Sequence, residues 1–214
     1  MMHLLHRLEG NNTEWISRST KHETLYQLSA NLRSRQSEQV PPDSAGIRDY
    51  FVFGFVRNPW ERILSLYRYM TERRPRPEID SVVSFSDFVQ QAAEGVPWIR
   101  GLHSMRTQLD YFRTGDSRGV HADFVGHFEY LHQDFASVAK RIGATLGPLP
   151  HLNSSTNSTL NYQREYRDSS IETIGTLFHE DIEVFGYEFE RREPVGRFSG
   201  HLDKSMPGIP VQDT

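Results

Sequence analysis

The sequence contains no cysteine among its 214 residues. That excludes a disulfide scaffold, a thiolate metal site and cysteine-nucleophile chemistry. Basic charge is also in short supply, with 24 Lys+Arg against 28 Asp+Glu and a formal net charge of −4. This balance argues against a general nucleic-acid binder, whose hold on a phosphate backbone rests on a basic excess. Lysine occurs only at Lys21, Lys140 and Lys204, so nearly all the positive charge is arginine. Arginine is the side chain that forks onto phosphate or carboxylate with two parallel bonds. No apolar run approaches the ~18 residues of a membrane span. The opening Met1-Met2-His3-Leu4-Leu5-His6 is too short and too polar for a signal peptide. What remains is a chain expected to be soluble and globular, of a length that favours one domain with a core of its own.

Residues 1–20 are polar without a clear period, and a helical pattern with Leu25, Leu28 and Leu32 follows over roughly 21–35. After a Pro41-Pro42-Asp43-Ser44 loop comes Tyr50-Phe51-Val52-Phe53-Gly54-Phe55-Val56, a continuous apolar run rich in aromatic and β-branched residues. Such a run reads as a strand buried on both faces, as in a parallel sheet covered by helices. Asn58-Pro59-Trp60-Glu61 stops it and opens a helix, with Asn58 as N-cap, Pro59 at the first position and Glu61 placed to fold back onto the cap. Ile63, Leu66, Tyr67 and Met70 supply that helix's apolar face.

A further helix is predicted from Ser84 or Ser86 with Phe88, Val89 and Ala92. Phe124–Phe128 reads as a second strand leading into a helix that ends at Gly143. Ser169-Ser170-Ile171-Glu172 carries a capping-box signature ahead of a helix through Phe185 that Gly186 ends. Two strand–helix units point to a three-layer α/β fold. One domain is expected over residues 1–190, and the Pro/Gly-rich residues 191–214 are expected to be a disordered tail.

Arg57 lies where the buried strand gives way to the capped helix, the place where open α/β sheets bind ligands. A helix start also offers unpaired N–H groups and the positive end of its dipole. Ser65 falls seven residues after Asn58, on the face that continues from the cap. A guanidinium fork with a hydroxyl two turns along suits a phosphate clamp. On spacing alone, however, an ordinary ion pair for Arg57 and no special role for Ser65 is the stronger reading.

The stretch Phe53-Gly54-Phe55-Val56-Arg57-Asn58-Pro59-Trp60-Glu61-Arg62-Ile63-Leu64-Ser65-Leu66-Tyr67 shifts that balance. It resembles the F-x-F-V-R-N-P-x-x-R-x-x-S-x-Y signature of sulfotransferases, most closely the carbohydrate (family 2) enzymes. Three more blocks follow in the same order as in that family. Asp123–Phe135 is similar to D-F-I-G-R-F-E-x-L-x-x-D-F, Leu149–Asn153 to L-P-H-x-N, and Asp181–Phe189 to D-I-x-x-F-G-Y-x-F. The resemblance implies a P-loop-NTPase-like parallel sheet flanked by helices. It also implies transfer of a sulfuryl group from 3′-phosphoadenosine-5′-phosphosulfate (PAPS) to a hydroxyl of a carbohydrate or glycan. Arg57 and Ser65 then correspond to the residues that hold the donor's 3′-phosphate. Arg62 stands either as a helix partner or as a second phosphate contact, and Trp60 is open between core and adenine stacking.

Two departures from the family accompany the likeness. The first residues hold no Lys-Thr pair and a single glycine, Gly10, where the family has its 5′-phosphosulfate loop. The chain is therefore expected to begin downstream of that element, and a non-catalytic fragment or pseudoenzyme that keeps a nucleotide 3′-phosphate pocket is the competing expectation. The second departure is His127, where the family carries Arg or Lys. Sulfuryl transfer to a hydroxyl needs a base, which singles out His or a carboxylate. Lys21-His22 resembles the family's K-H segment, which makes His22 the candidate base. His151 is a second candidate, for acceptor contact or donor closure, and Glu129 a group that would orient either. No metal-ligand spacing is present among the ten histidines. Members of the family work in bacterial cytoplasm or the Golgi lumen, and the missing cysteines favour the former.

Overall fold

A computed structural model describes residues 23–30, 51–73, 75, 77–113, 120–143 and 162–190, together with the backbone of 2–5. The chain divides into two compact units. One comprises Met1–Val56, Gln108–Thr145 and Phe198–Thr214, the other Arg57–Thr107 and Leu146–Arg197.

The first unit is built on a three-stranded sheet of order β1-β2-β3. Its centre is β2, Phe51–Val56, with Val52, Phe53, Gly54 and Val56 buried as the apolar run predicts. β3, Phe124–His127, pairs with it in parallel, setting Phe53 opposite Phe124 and Val56 opposite His127. β1, Met2–Leu5, pairs antiparallel on the other edge, with Met2 opposite Gly54. The sheet is therefore mixed. The strand at 2–5 was not expected, because four residues are too few to establish an alternation above a polar background. A helix over residues 25–30, α1, buries Leu25.

The residues from Leu131 to Ile142 form α5, which buries Val138 against Phe53 and Phe124, with Phe51 and Phe55 packed beside them. Gly143 ends it in the left-handed region at φ 68°, the conformation that only glycine adopts without strain. Two buried carboxylates then explain the acidic residues at the ends of the Asp123–Phe135 block. Asp123 donates its N–H to the Val52 carbonyl (2.7 Å) and takes the Val52 N–H on Oδ2 (2.7 Å), closing a two-bond latch between neighbouring strands. Asp134 accepts the His127 N–H on Oδ2 (2.7 Å), satisfying the strand's last donor. Gly126 is glycine for space. A Cβ there would lie 2.5 Å from the Phe55 ring and 3.1 Å from Asp134 Cβ.

The second unit is helical. α2, Pro59–Arg68, runs into a π-turn at Tyr69–Arg73 and buries Ile63, Leu64 and Met70. α3, Phe85–Ala93, starts at the predicted cap, where Ser84 Oγ accepts the Asp87 N–H at 3.1 Å. Its Phe85 and Phe88 rings stand 5.5 and 5.7 Å from that of half-buried Tyr67, which packs on α3. A single turn, α4, spans Pro97–Arg100.

Two sequence expectations change further along. The helix α6 opens at Asp168 and runs to Leu177, so Ser169 and Ser170 lie within its first turn and do not cap it. The helix expected to continue through Phe185 breaks at Phe178 (φ −124°, ψ 28°), and α7 occupies His179–Phe185. Gly186 closes α7 in the left-handed region, as predicted. The expected tail lies outside the described residues. Among the described residues no helix is long and apolar enough to cross a membrane.

Asp123→Ala is expected to leave the Val52 N–H buried without its acceptor. A loss of about 1–3 kcal/mol in urea unfolding is the predicted cost of one such orphaned donor. Unchanged stability would mean that the latch contributes nothing.

Candidate functional site

Arg57 and Asn58 are the two residues between β2 and α2. Asn58 is fully buried, and both ends of its amide are used. Oδ1 accepts the N–H groups of Trp60 (3.0 Å) and Glu61 (3.3 Å). Nδ2 donates to Tyr162 Oη and to the Glu188 carbonyl, each at 3.4 Å. Tyr162 Oη donates in turn to the Phe189 carbonyl at 2.6 Å. Trp60 is held at two points, its indole N–H on the Ile171 carbonyl (3.1 Å) and its own carbonyl under Tyr166 Oη (2.7 Å). The rings of Trp60, Tyr162 and Tyr166 surround Phe189 with centroids 5.4–5.7 Å away. The start of α2 is thus tied to the turn at Tyr162–Glu165 and to the 187–190 segment. Trp60 belongs to this cluster, which is packing chemistry.

This capping alters one expectation. The first turn of α2 was expected to present unpaired amides to an anion. Pro59 has no N–H, the Trp60 and Glu61 donors go to Asn58 Oδ1, and the Arg62 N–H goes to the Asn58 carbonyl at 2.9 Å. The dipole's positive end is still there, but directed bonds to a guest at this turn have to come from side chains.

Arg57 supplies the nearest. Its Nη2 lies 3.0 Å from Glu61 Oε1, one turn along. Glu61, expected to fold back onto the cap, places its carboxylate on the guanidinium; it is 8% exposed. Ser65 is half-buried on the same helix, and its hydroxyl bonds to no residue among those described. That distinguishes it from Thr71, Ser137, Thr173 and Thr176, each of which donates to the carbonyl four residues back.

Arg62, the other motif arginine, is heavily engaged. Nη1 donates to the carbonyls of Ser104 (3.0 Å) and Arg106 (3.1 Å), Nη2 lies 3.6 Å from the buried Asp181 carboxylate, and Cζ sits 4.8 Å over the Phe178 ring. Its geometry is that of a brace joining α2, the 103–106 turn and α7. His22 and His151 lie outside the described residues. His127 is buried at the end of β3, and Glu129 is half-buried in the turn after it. Among the described residues no group of three or more His, Cys, Asp or Glu is gathered to hold a metal.

A sequence model described as the sulfotransferase family matches residues 1–188. The chain belongs to the sulfotransferase family. An uncharacterized protein of Archaeoglobus fulgidus is 34% identical over 94 residues, which make up 44% of this chain and 68% of that relative. No solved structure matches the chain.

Within this sulfotransferase-family chain, the sequence puts Arg57, Asn58 and Ser65 on the elements where the structure has them but does not name the groups that hold Asn58, Trp60 and Arg62. Tyr162 and Tyr166 carry no motif of their own in the sequence. Their i, i+4 spacing was the available signal, since it puts two rings on one side of a turn. Asp181, fully buried beneath Arg62, was read only as part of a motif.

Burial, and then the neighbouring Tyr162, raise the Tyr166 phenol well above its usual value near 10. A phenol kept neutral by the fold stabilises it fully below the unfolded value. That stability drains away as pH climbs from there toward the folded value. Alkaline unfolding should therefore begin above about pH 10, and Tyr166→Phe should flatten that limb while weakening the fold near neutrality. An unaltered alkaline limb in Tyr166→Phe, followed by circular dichroism, would contradict the assignment.

Proposed function

We propose that this chain is a PAPS-dependent sulfotransferase acting on a hydroxyl of a carbohydrate or glycan, with residues 1–190 as one catalytic domain. The observation that carries the reading is the pairing of motif and geometry at the start of α2. Arg57 follows β2 directly, and Ser65 stands two turns further with its hydroxyl unused by the described residues. Family membership supports sulfuryl transfer, and the motif supports a donor bearing a 3′-phosphate.

In this reading Arg57 and Ser65 grip the 3′-phosphate, the guanidinium by charge-assisted bonds and the hydroxyl by a neutral one. Arg62 braces the helix that carries them. His22 is the proposed base, taking the proton of the acceptor hydroxyl as its oxygen attacks the sulfur in line with the departing nucleotide phosphate. His151 is proposed to touch acceptor or donor from its loop. The chemistry resembles phosphoryl transfer in needing alignment and charge stabilisation more than covalent help.

Arg57→Ala should weaken binding of 3′-phosphoadenosine-5′-phosphate by about 10- to 150-fold, the equivalent of one charge-assisted hydrogen bond. Ser65→Ala should cost less. Calorimetry on protein shown to be folded decides it, and unchanged affinity in Arg57→Ala would contradict the site. His22→Ala is expected to abolish transfer of labelled sulfate while leaving nucleotide affinity nearly intact. Loss of nucleotide binding would make His22 a donor contact and not the base.

A further inference from the structure

The Arg57 side chain sits at the last position before the cap, with a backbone pinned by Asn58 and a side chain that has four rotatable bonds. A guanidinium so placed recognises a phosphate well only if something fixes its direction, because immobilising a long side chain on binding costs affinity. Glu61 is the group in position to do so. It occupies the third position of α2, a helix whose first turn is tied through Asn58, Trp60 and Tyr162. The carboxylate is nearly buried and its Oε1 lies 3.0 Å from Arg57 Nη2. An acid in the first turn also suits the helix dipole.

Resting on the reading of Arg57 as a 3′-phosphate ligand, we propose that Glu61 is a positioning residue that aims the Arg57 guanidinium before the nucleotide arrives. The alternative role is the opposite one. A carboxylate on the same guanidinium competes with the phosphate and repels it, and removing it would then tighten binding. The two roles predict opposite signs, so the position is testable without knowing the acceptor. Glutamine separates them, because its amide oxygen still accepts a bond from Nη2 but carries no charge.

The experiment measures binding of 3′-phosphoadenosine-5′-phosphate by calorimetry to the full chain, to Glu61→Ala, Glu61→Gln and Arg57→Ala, and to the Arg57→Ala/Glu61→Ala double variant. Positioning predicts that Glu61→Ala weakens binding about 3- to 10-fold. It predicts further that Glu61→Gln restores most of the loss, and that Glu61→Ala has no added effect once Arg57 is gone. Tighter binding in Glu61→Ala and Glu61→Gln would overturn the proposal in favour of competition. A Glu61→Ala loss that persists undiminished in the double variant would overturn it as well, since the effect would then run through general stability. Failure of the wider reading is distinguishable: in that case Arg57→Ala alone would leave the affinity unchanged.

Discussion

One buried amide governs the geometry on which the functional reading depends. Asn58 uses its oxygen to close the first turn of α2 and its nitrogen to hold Tyr162 and the Glu188 carbonyl. An ordinary cap stabilises a helix by satisfying donors that would otherwise be orphaned. This one does more, because its remaining hydrogens reach a segment 130 residues away in sequence. The block near the end of the matched region thereby becomes a structural partner of the motif near the start of α2. Tyr166 and Phe189 complete the same arrangement from the apolar side.

A consequence follows for how an anion would be recognised. Many phosphate sites at helix starts are made of bare backbone amides. Here Asn58 and Pro59 have removed those donors, and the helix contributes its field alone. On the proposed reading, specificity falls on Arg57 and Ser65, whose side chains must be held in place by other groups. Glu61 and the Arg62 brace are the neighbours that can do it, one on the guanidinium and the other between α2, the 103–106 turn and Asp181. On the same proposed reading, two arginines five residues apart in a single motif have different work, one toward a guest and one within the protein.

Much of the local structure was legible because it depends on signals within a few residues. The Phe51–Val56 strand, the Asn58–Pro59 helix start, the Ser84 cap and the glycine stops at 143 and 186 all announce themselves by type and spacing. The parallel pairing of β2 and β3 followed from continuous apolarity. What stayed hidden were partnerships across long separations. Nothing around Asp123 says that its carboxylate will latch Val52, 71 residues earlier, and nothing around Asp181 names Arg62. The Ser169–Glu172 signature failed for a different reason, because Asp168 extends the helix one residue earlier and absorbs the serines into the first turn. For the site, the motif singles out Arg57 and Ser65, and the ion pair that spacing alone suggests for Arg57 forms with Glu61 one turn along.

The central claim is recognition of a 3′-phosphate at the start of α2. Calorimetric titration of the full chain with 3′-phosphoadenosine-5′-phosphate and, separately, with adenosine 5′-phosphate tests it most directly. The nucleotide bearing the 3′-phosphate should bind at least about tenfold tighter, the equivalent of one charge-assisted bond. Equal affinity for the two nucleotides would contradict the account.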